Sequence, residues 1–210
     1  MSVARPVGAI LAGGGATRLG GARKGLLHVG GQRIVDRVAV ALAPATSEIL
    51  LVANDPDARG WLPDARVVGD VRAGCAALGG LHAALAHAAG AVLVVAWDMP
   101  FVSPVLLARL AEIGQAGAAT LDAVVPAVRL ATDVERPEPL CAYYAPSCLA
   151  AVDRRLDRGE RRVAGFLAEL RVHYLKGAEL AAYGDPHVLF ANVNTRDDLA
   201  RATAHAEALA

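Results

Sequence analysis

The sequence predicts an α/β fold of three layers, in which helices cover both faces of a mostly parallel sheet. Short apolar segments alternate with longer helical patterns along the first half of the 210-residue chain, which is typical of successive strand–helix–strand units. Residues 91–97 read AVLVVAW, and a near-continuous apolar run of this length is typical of a strand buried on both faces. Both observations indicate an α/β/α arrangement rather than an all-helical or all-β chain.

The elements of the first half follow from the same pattern. Strands are predicted at residues 7–12, 48–53, 66–68 and 91–97, and helices at residues 34–42, 78–89 and 104 to about 113. The last of these helices has a plausible N-cap in Ser103 and a proline, Pro104, in its first turn.

The second half is less regular. Strands are predicted at residues 123–127, 140–144 and 172–175, and helices at residues 146–158 and 163–170, with a polar excursion at residues 133–139. Thr195 caps a final helix that has Asp197 and Asp198 in its first turn. Because no repeat or low-complexity linker divides the chain, we expect one domain over residues 1–210.

Composition excludes several classes of function. Lys and Arg total 21, as do Asp and Glu, so no global basic surface favours nucleic acid or a membrane. The apolar runs are too interrupted to span a bilayer, and no signal peptide is recognised, so we expect a cytoplasmic protein. The three cysteines lack metal-ligand spacing and are expected to be reduced. None of the six histidines has such spacing either, and we expect them at the surface.

A glycine-rich loop is the strongest local signal. Residues 11–24 read LAGGGATRLGGARK and directly follow the first strand. Glycines allow backbone N–H groups to converge on an anion, and Arg18 and Lys24 add positive charge where phosphate oxygens would lie. The alternative is a flexible turn with two surface cations. The loop has neither the Gly-Lys-Ser/Thr end of a Walker A site nor a G-x-G-x-x-G register.

Asp98 follows the buried strand of residues 91–97, at the edge of the sheet to which the first strand brings the glycine loop. A carboxylate beside phosphates is repelled unless a cation lies between them, so Asp98 is a candidate magnesium ligand. The alternative is a residue that caps the following turn. Asp70 ends the short third strand and is a candidate contact for a nucleotide or for the metal's water shell, with ordinary loop capping left open.

Two further groups are weaker candidates. Asn192 and Asn194 precede the last helix, where amide oxygens can complete a magnesium shell or bind substrate, although both residue types also form turns. Arg161 and Arg162 lie between two predicted helices and can clamp an anion, although adjacent arginines are more often solvated.

Three segments of the loop, 11–14, 18–20 and 24–27, resemble the signature of sugar-phosphate and molybdopterin nucleotidyltransferases. Trp97-Asp-Met-Pro-Phe-Val resembles their metal-binding Asp-x-Pro segment. The motifs RPEPL at 136–140, GERRV at 159–163 and NVNTRDDL at 192–199 follow in the order seen in molybdenum cofactor guanylyltransferases. The chain is similar to that family over nearly its whole length.

The resemblance implies a Rossmann-like fold of the nucleotide-diphospho-sugar transferase type, with a nucleotide-binding half at residues 1–120 and an acceptor-binding half at 121–210. It implies transfer of GMP from GTP to molybdenum-molybdopterin with release of pyrophosphate, with Mg²⁺ as cofactor. Transient contact with molybdenum-insertion proteins or apo-molybdoenzymes is a further implication.

The resemblance also assigns residues to roles. Arg18, Lys24 and Asp98 are implied to be catalytic. Asp98 is implied to bind the metal, and Asn194 is a candidate second ligand. The implied nucleotide-binding residues are Leu11, Ala12, Gly13, Gly14, Lys24, Asp70 and Asp98. The implied acceptor-binding residues are Arg161, Arg162, Asn192 and Asn194.

The chain departs from the family pattern at three places. Ala76-Ala-Leu-Gly-Gly80 stands where the family usually has Gly-Pro-Leu-x-Gly, and Glu138 stands where it commonly has a His or Gln. Val52 stands where a polar residue can contact the base, and the neighbouring Asn54 can make that contact instead. These changes leave the shape of the base and acceptor pockets open.

Three other functions are weighed against guanylyl transfer. They are CTP-dependent cytidylyl transfer to the same pterin, transfer to another small phosphate acceptor, and a non-catalytic nucleotide-binding module that delivers cofactor. Relatives that use CTP tend to carry Leu-Ala-Ala-Gly in the loop, so Gly13 favours GTP.

Overall fold

A mixed sheet forms the centre of the computed structural model, which describes residues 4–13, 23–72, 74–129 and 132–209. Within these ranges the strands are β1 (Val7–Leu11), β2 (His28–Val29), β3 (Gln32–Arg33), β4 (Ile49–Val52), β5 (Arg66–Val68), β6 (Val92–Ala96), β7 (Ala123–Arg129), β8 (Glu135–Pro137), β9 (Cys141–Tyr144) and β10 (Val172–Lys176). Gly14 and Arg18, two of the candidate site residues, lie outside the described residues.

Eight helices lie in the described part of the chain: α1 (Ile34–Leu42), α2 (Ala76–His87), α3 (Pro104–Ala116), α4 (Cys148–Asp157), α5 (Val163–Phe166), α6 (Gly177–Ala181), α7 (Pro186–Leu189) and α8 (Arg196–Ala208). Short 3₁₀ turns occur at Lys24–Leu26, Ala43–Ala45, Pro56–Gly60 and Leu167–Glu169. None of the helices described is long and apolar enough to cross a membrane.

The strand order of the main sheet is β10-β7-β9-β6-β1-β4-β5, and β8 also pairs with β7. β9 runs antiparallel to both β6 and β7, and β8 runs antiparallel to β7. The remaining pairs are parallel, so the prediction of a mostly parallel sheet is confirmed. The sheet continues across residue 120, because β9 joins β6 to β7.

Alternate residues of the strands enter two apolar layers, one on each face of the sheet. On β1, Ile10 packs into the layer that contains residues of α1, α3 and α8. Its neighbours Ala9 and Leu11 pack into the layer that contains residues of α2, α4 and α5. All of β6 is buried. Helices on both faces of a buried sheet are the three-layer arrangement that the sequence predicts.

The predicted helix at residues 34–42 and the predicted strand at 66–68 are confirmed to the residue. Two predicted caps are also confirmed. Ser103 Oγ accepts a hydrogen bond from the backbone N–H of Leu106 at 3.3 Å, and Thr195 forms a reciprocal capping box with Asp198.

Other elements were not predicted: the β2–β3 hairpin, β8, α6 and α7. β8 lies inside the polar excursion of residues 133–139, because backbone pairing with β7 needs no apolar pattern. The expectation that the histidines lie at the surface is wrong for His82, which is buried on α2 with its Nε2 3.0 Å from Asp153 Oδ1.

Candidate active site

The carboxyl ends of four parallel strands form a cavity of about 220 Å³. Leu11 of β1 lies opposite Val52 of β4 and Ala96 of β6, and Val52 lies opposite Val68 of β5. The loops that follow these strands therefore begin at one edge of the sheet, where open α/β sheets bind ligands. The cavity is lined by Leu11, Gly13, Val52, Ala53, Asn54, Asp70, Ala76, Ala77, Gly80, Ala96, Trp97, Asp98 and Leu140.

Lys24, Asp98 and Asn194 meet at this edge, although they are far apart in the sequence. Lys24 Nζ donates a hydrogen bond to Asn194 Oδ1 at 2.5 Å and lies 3.6 Å from Asp98 Oδ2. The Val193 N–H donates to the backbone carbonyl of Asp98 at 2.9 Å, which holds the segment before α8 against the end of β6. One ammonium group thus joins a carboxylate and a neutral amide oxygen.

Local packing fixes Lys24 beside Asp98. Lys24 begins a 3₁₀ turn, and the next residue, Gly25, lies against the ring of Trp97, the residue before Asp98. A β-carbon at Gly25 would lie 2.7 Å from Trp97 Cδ2, so only glycine allows this approach. Trp97 is buried and stacks on Trp61 with ring centroids 5.2 Å apart. The contact explains why the lysine is followed by glycine.

Asn194 is held by the start of the last helix. Its backbone N–H donates to Asp198 Oδ2 at 3.0 Å, and the Thr195 N–H donates to the same oxygen at 2.8 Å. These bonds fix the backbone of Asn194 and leave its side-chain amide oxygen to accept from Lys24. The Asp198 carboxylate, read in the sequence only as a first-turn acid, therefore supports a candidate site residue.

Burial makes the electrostatics of Asp98 unusual. Its side chain and that of Lys24 are each 15% exposed. Loss of hydration raises the pKa of the Asp98 carboxyl above its ordinary value, and the Lys24 ammonium offsets this effect only in part. Burial therefore disfavours the ionised form of Asp98, and a further cation beside this carboxylate would stabilise that form and lower its pKa.

Asp70 is tied to the loop after β4. The Asn54 Nδ2 group donates to Asp70 Oδ2 at 2.8 Å, and the Asp70 N–H donates to Asn54 Oδ1 at 2.7 Å. Both residues line the cavity. From the sequence, Asn54 is a candidate contact for the base in place of Val52. In the structure its side-chain amide holds Asp70.

The other candidate residues are distributed unequally. Gly13 lines the cavity, and a β-carbon there would meet no atom of the described residues within 4 Å. Ala12 instead packs its methyl group into the core. Asn192 lines a separate cavity with Phe101 and donates to the Phe190 carbonyl at 3.2 Å.

Arg161 and Arg162 are exposed and precede α5. They follow α4, whose last residue, Asp157, binds Arg72 from the loop after β5. Neither arginine lines the cavity that holds Asp98.

The departures from the family pattern also have structural counterparts. Ala76 lines the cavity with a φ of 50°, a left-handed conformation that favours glycine. Glu138 is buried, and the Arg136 guanidinium donates to its Oε1 from Nε at 3.0 Å and from Nη2 at 2.6 Å. Burial raises the pKa of Glu138 and Arg136 opposes the rise, so this carboxylate has its own counter-charge.

Comparison with known proteins gives consistent results. The family model described as "MobA-like NTP transferase domain" matches residues 8–173. A protein of Pelotomaculum thermopropionicum named "Probable molybdenum cofactor guanylyltransferase" is 37% identical over 201 residues, covering 95% of this chain and 93% of that protein.

Two solved structures are also similar. Molybdopterin-guanine dinucleotide biosynthesis protein A from Archaeoglobus fulgidus has a TM-score of 0.80 and 31% identity, covering 96% of this chain and 99% of that one. The 2-C-methyl-D-erythritol 4-phosphate cytidylyltransferase of Thermus thermophilus has a TM-score of 0.69 at 21% identity, covering 98% and 100%, and shows the fold alone. The chain therefore belongs to the MobA-like NTP transferase family and is a nucleotidyltransferase.

Proposed function

We propose that this protein transfers GMP from GTP to molybdenum-molybdopterin, forming the guanine dinucleotide cofactor and releasing pyrophosphate. The observation that carries the proposal is the meeting of Lys24, Asp98 and Asn194 at the carboxyl edge of the sheet. Relatives named for this activity match the chain over more than nine-tenths of its length, which supports the choice of nucleotide and acceptor.

The cavity supports binding of the nucleotide through its walls. Leu11 and Gly13 lie on one side, and Asp70 with Asn54 lies on another. None of the described residues lies within 4 Å of a β-carbon placed on Gly13, which leaves room on their side for a ligand to approach the backbone. We assign Asp70 to the sugar or base of the nucleotide, with its carboxylate oriented by the Asn54 amide.

Residues 14–22 and Lys24 follow this wall in the chain and are proposed to hold the phosphates, with Arg18 and Lys24 as the cations. Because the acceptor's own phosphate is the nucleophile and is already anionic near neutral pH, the reaction needs no general base. An oxygen of that phosphate bonds to the α-phosphorus of GTP while the bond to pyrophosphate breaks. The protein's contribution is to align two anions and to balance the charge on the departing pyrophosphate.

The residues at the edge fit a magnesium ion. Asp98 offers a carboxylate oxygen and Asn194 an amide oxygen, the hard oxygen donors that Mg²⁺ prefers, and both already converge on one positive group. Among the described residues no cluster of three or more acidic, His or Cys side chains forms a complete metal cage, which agrees with an ion shared with substrate phosphates. When bound, Mg²⁺ would neutralise triphosphate charge and polarise the α-phosphate.

Pyrophosphate release tests this proposal. With Mg²⁺, the molybdopterin acceptor and each nucleoside triphosphate in turn, GTP should be the preferred substrate. Asp98→Asn should reduce the rate by about 100- to 1,000-fold, the range seen when one preorganised electrostatic group is lost. The matched control is Asp64→Asn, which neutralises an exposed carboxylate that does not line the cavity.

Three results would contradict parts of the proposal. Full activity of Asp98→Asn would exclude the assigned role of this carboxylate. Preference for CTP would exclude guanylyl transfer and retain nucleotidyl transfer. Tight GTP binding without pyrophosphate release in the presence of acceptor would favour a cofactor-delivery module.

A further inference from the structure

The loop between β5 and α2, described at residues 69–72, 74 and 75, carries Asp70, which lines the candidate nucleotide cavity. On the side of β4 the loop is held by the two hydrogen bonds between Asp70 and Asn54. Gly74 of the loop has a φ of 74° and Ala76, just after it, has a φ of 50°. Glycine adopts such an angle freely, but Ala76 does not, so this conformation depends on contacts with other parts of the chain.

Arg72 supplies such contacts on the opposite side of the loop. Its Nη2 donates to Asp153 Oδ1 at 3.0 Å, and its Nη1 donates to Asp157 Oδ1 at 2.5 Å. Both carboxylates belong to α4, one helical turn apart. Arg72 does not line the cavity, so its guanidinium joins the back of the nucleotide wall to a helix of the neighbouring layer.

Asp153 is itself fixed by a buried group. Its Oδ1, which accepts from Arg72, also lies 3.0 Å from Nε2 of His82 on α2. The His82 side chain is only 6% exposed, and its buried Nδ1 has no hydrogen-bond partner among the described residues. A proton on Nε2 lets the imidazole donate to Asp153. The buried His82 thus fixes the Asp153 carboxylate that accepts from Arg72, and the Arg72–Asp153 ion pair is partly shielded from water.

The same helix, α2, carries the floor of the cavity. Gly80 of α2 lies against Leu11 of β1, and a β-carbon on Gly79 would lie 3.6 Å from the Arg72 carbonyl and 3.8 Å from Asp70 Oδ2. The loop therefore rests directly on the helix that holds His82. A change in the Arg72 contacts would be transmitted to Asp70 through two residues of backbone.

We propose that Arg72 is a positioning residue for nucleotide binding, which holds residues 69–72 against α4 so that Asp70 stays in the lining of the cavity. The inference rests on the proposed function, in which GTP occupies this cavity. Loss of the Arg72 contacts lets the loop leave the binding-competent conformation, and the apparent affinity for GTP falls by the fraction of molecules that remain competent. The chemistry after binding is unchanged.

The test compares Arg72→Ala with the same substitution at Arg66, an arginine at the start of the strand that precedes the loop. Arg66 begins β5, where its Nη2 donates to Glu48 Oε1 and to the His87 carbonyl, each at 3.0 Å. Arg72→Ala should raise KM for GTP by about fivefold, the effect expected when the two ion pairs of this partly exposed guanidinium are lost, with kcat unchanged. Arg66→Ala should leave both constants as in the unmodified protein.

Arg72→Lys should restore part of the affinity, because an ammonium can bind one carboxylate but not both in parallel. The positioning role is refuted if Arg72→Ala leaves KM unchanged, if Arg66→Ala raises KM equally, or if the loss is in kcat. Melting temperatures of both alanine variants separate a general loss of stability from the specific change in KM.

The outcome for Arg72 is distinguishable from that for the proposed function. Calorimetric titration with GTP and Mg²⁺ measures the dissociation constant of GTP for the unmodified protein and for each variant. The role of Arg72 can therefore be tested even if the protein binds GTP without turnover. An active protein whose Arg72→Ala variant has the original KM contradicts the positioning role alone. Failure of the unmodified protein to bind GTP would contradict both.

Discussion

Gly25→Ala tests whether the contact between Gly25 and Trp97 positions the candidate catalytic lysine. The added methyl group would lie 2.7 Å from Trp97 Cδ2 and closer still to Cε3. Carbon atoms attract at about 3.5–4.0 Å, so the ring or the turn has to move by about 1 Å. Trp97 is buried and stacked on Trp61, so we expect the turn that carries Lys24 to move.

The expected effect has two parts. Overpacking of a buried contact costs about 1–3 kcal/mol, which for a chain of this length lowers Tm by about 3–10 °C. Displacement of Lys24 by about 1 Å from Asp98 should lower kcat for pyrophosphate release by up to about 100-fold. The assay is steady-state pyrophosphate release at saturating GTP, at a temperature where the variant is fully folded.

Two other glycines serve as controls. A β-carbon at Gly60 would meet no atom within 4 Å, so Gly60→Ala should change neither Tm nor kcat. A β-carbon at Gly114 would overlap Tyr143, with Cζ at 2.6 Å, at the opposite edge of the sheet. Gly114→Ala should therefore lower Tm and leave the kcat of the folded protein unchanged. Unchanged kcat in Gly25→Ala would refute the reasoning.

Two further predictions concern stability. The Asp122 carboxylate accepts hydrogen bonds from Arg171 and Ser147, and the Arg171 bonds hold its pKa well below the ordinary value. Asp122→Asn should therefore cost about 1 kcal/mol in urea unfolding at pH 7. Because the folded-state pKa lies below the unfolded-state value of about 4, the loss should begin to shrink only below about pH 4 and vanish only once the folded carboxyl is protonated. A loss that stays constant between pH 5 and pH 2 would contradict this. Ala76→Gly should raise Tm by about 2–4 °C by relieving the positive φ at residue 76, and a lower Tm would show that no strain is stored there.

The sequence was sufficient for the layers of the fold because they follow from local patterns. A few neighbouring residues are enough to predict β6 from its apolar run and α1 from its amphipathic pattern. The same holds for the helix starts capped by Ser103 and Thr195. β8 and the β2–β3 hairpin were missed because their strands are two or three residues long and are set by backbone pairing.

Part of the candidate site could also be predicted from local sequence patterns. Lys24, Asp70 and Asp98 follow strands, so strand order alone predicts that they share one edge. The roles of Asn54 and Arg72 could not be read in this way, because their partners lie 16 and more than 80 residues away. His82 was assigned to the surface because no periodic signal distinguishes a histidine buried between two helices from a solvated one.

The sequence by itself determined the fold class, the edge of the sheet that carries the chemistry and the resemblance to molybdenum cofactor guanylyltransferases. These depend on short-range periodicity and on residue types at fixed spacing. Only the tertiary structure decided that Asn194 meets Lys24 and Asp98 while Asn192 faces another cavity, and that Asp70 is tied between two layers. Such contacts are set by how helices pack across the sheet, and no spacing along the chain specifies that packing.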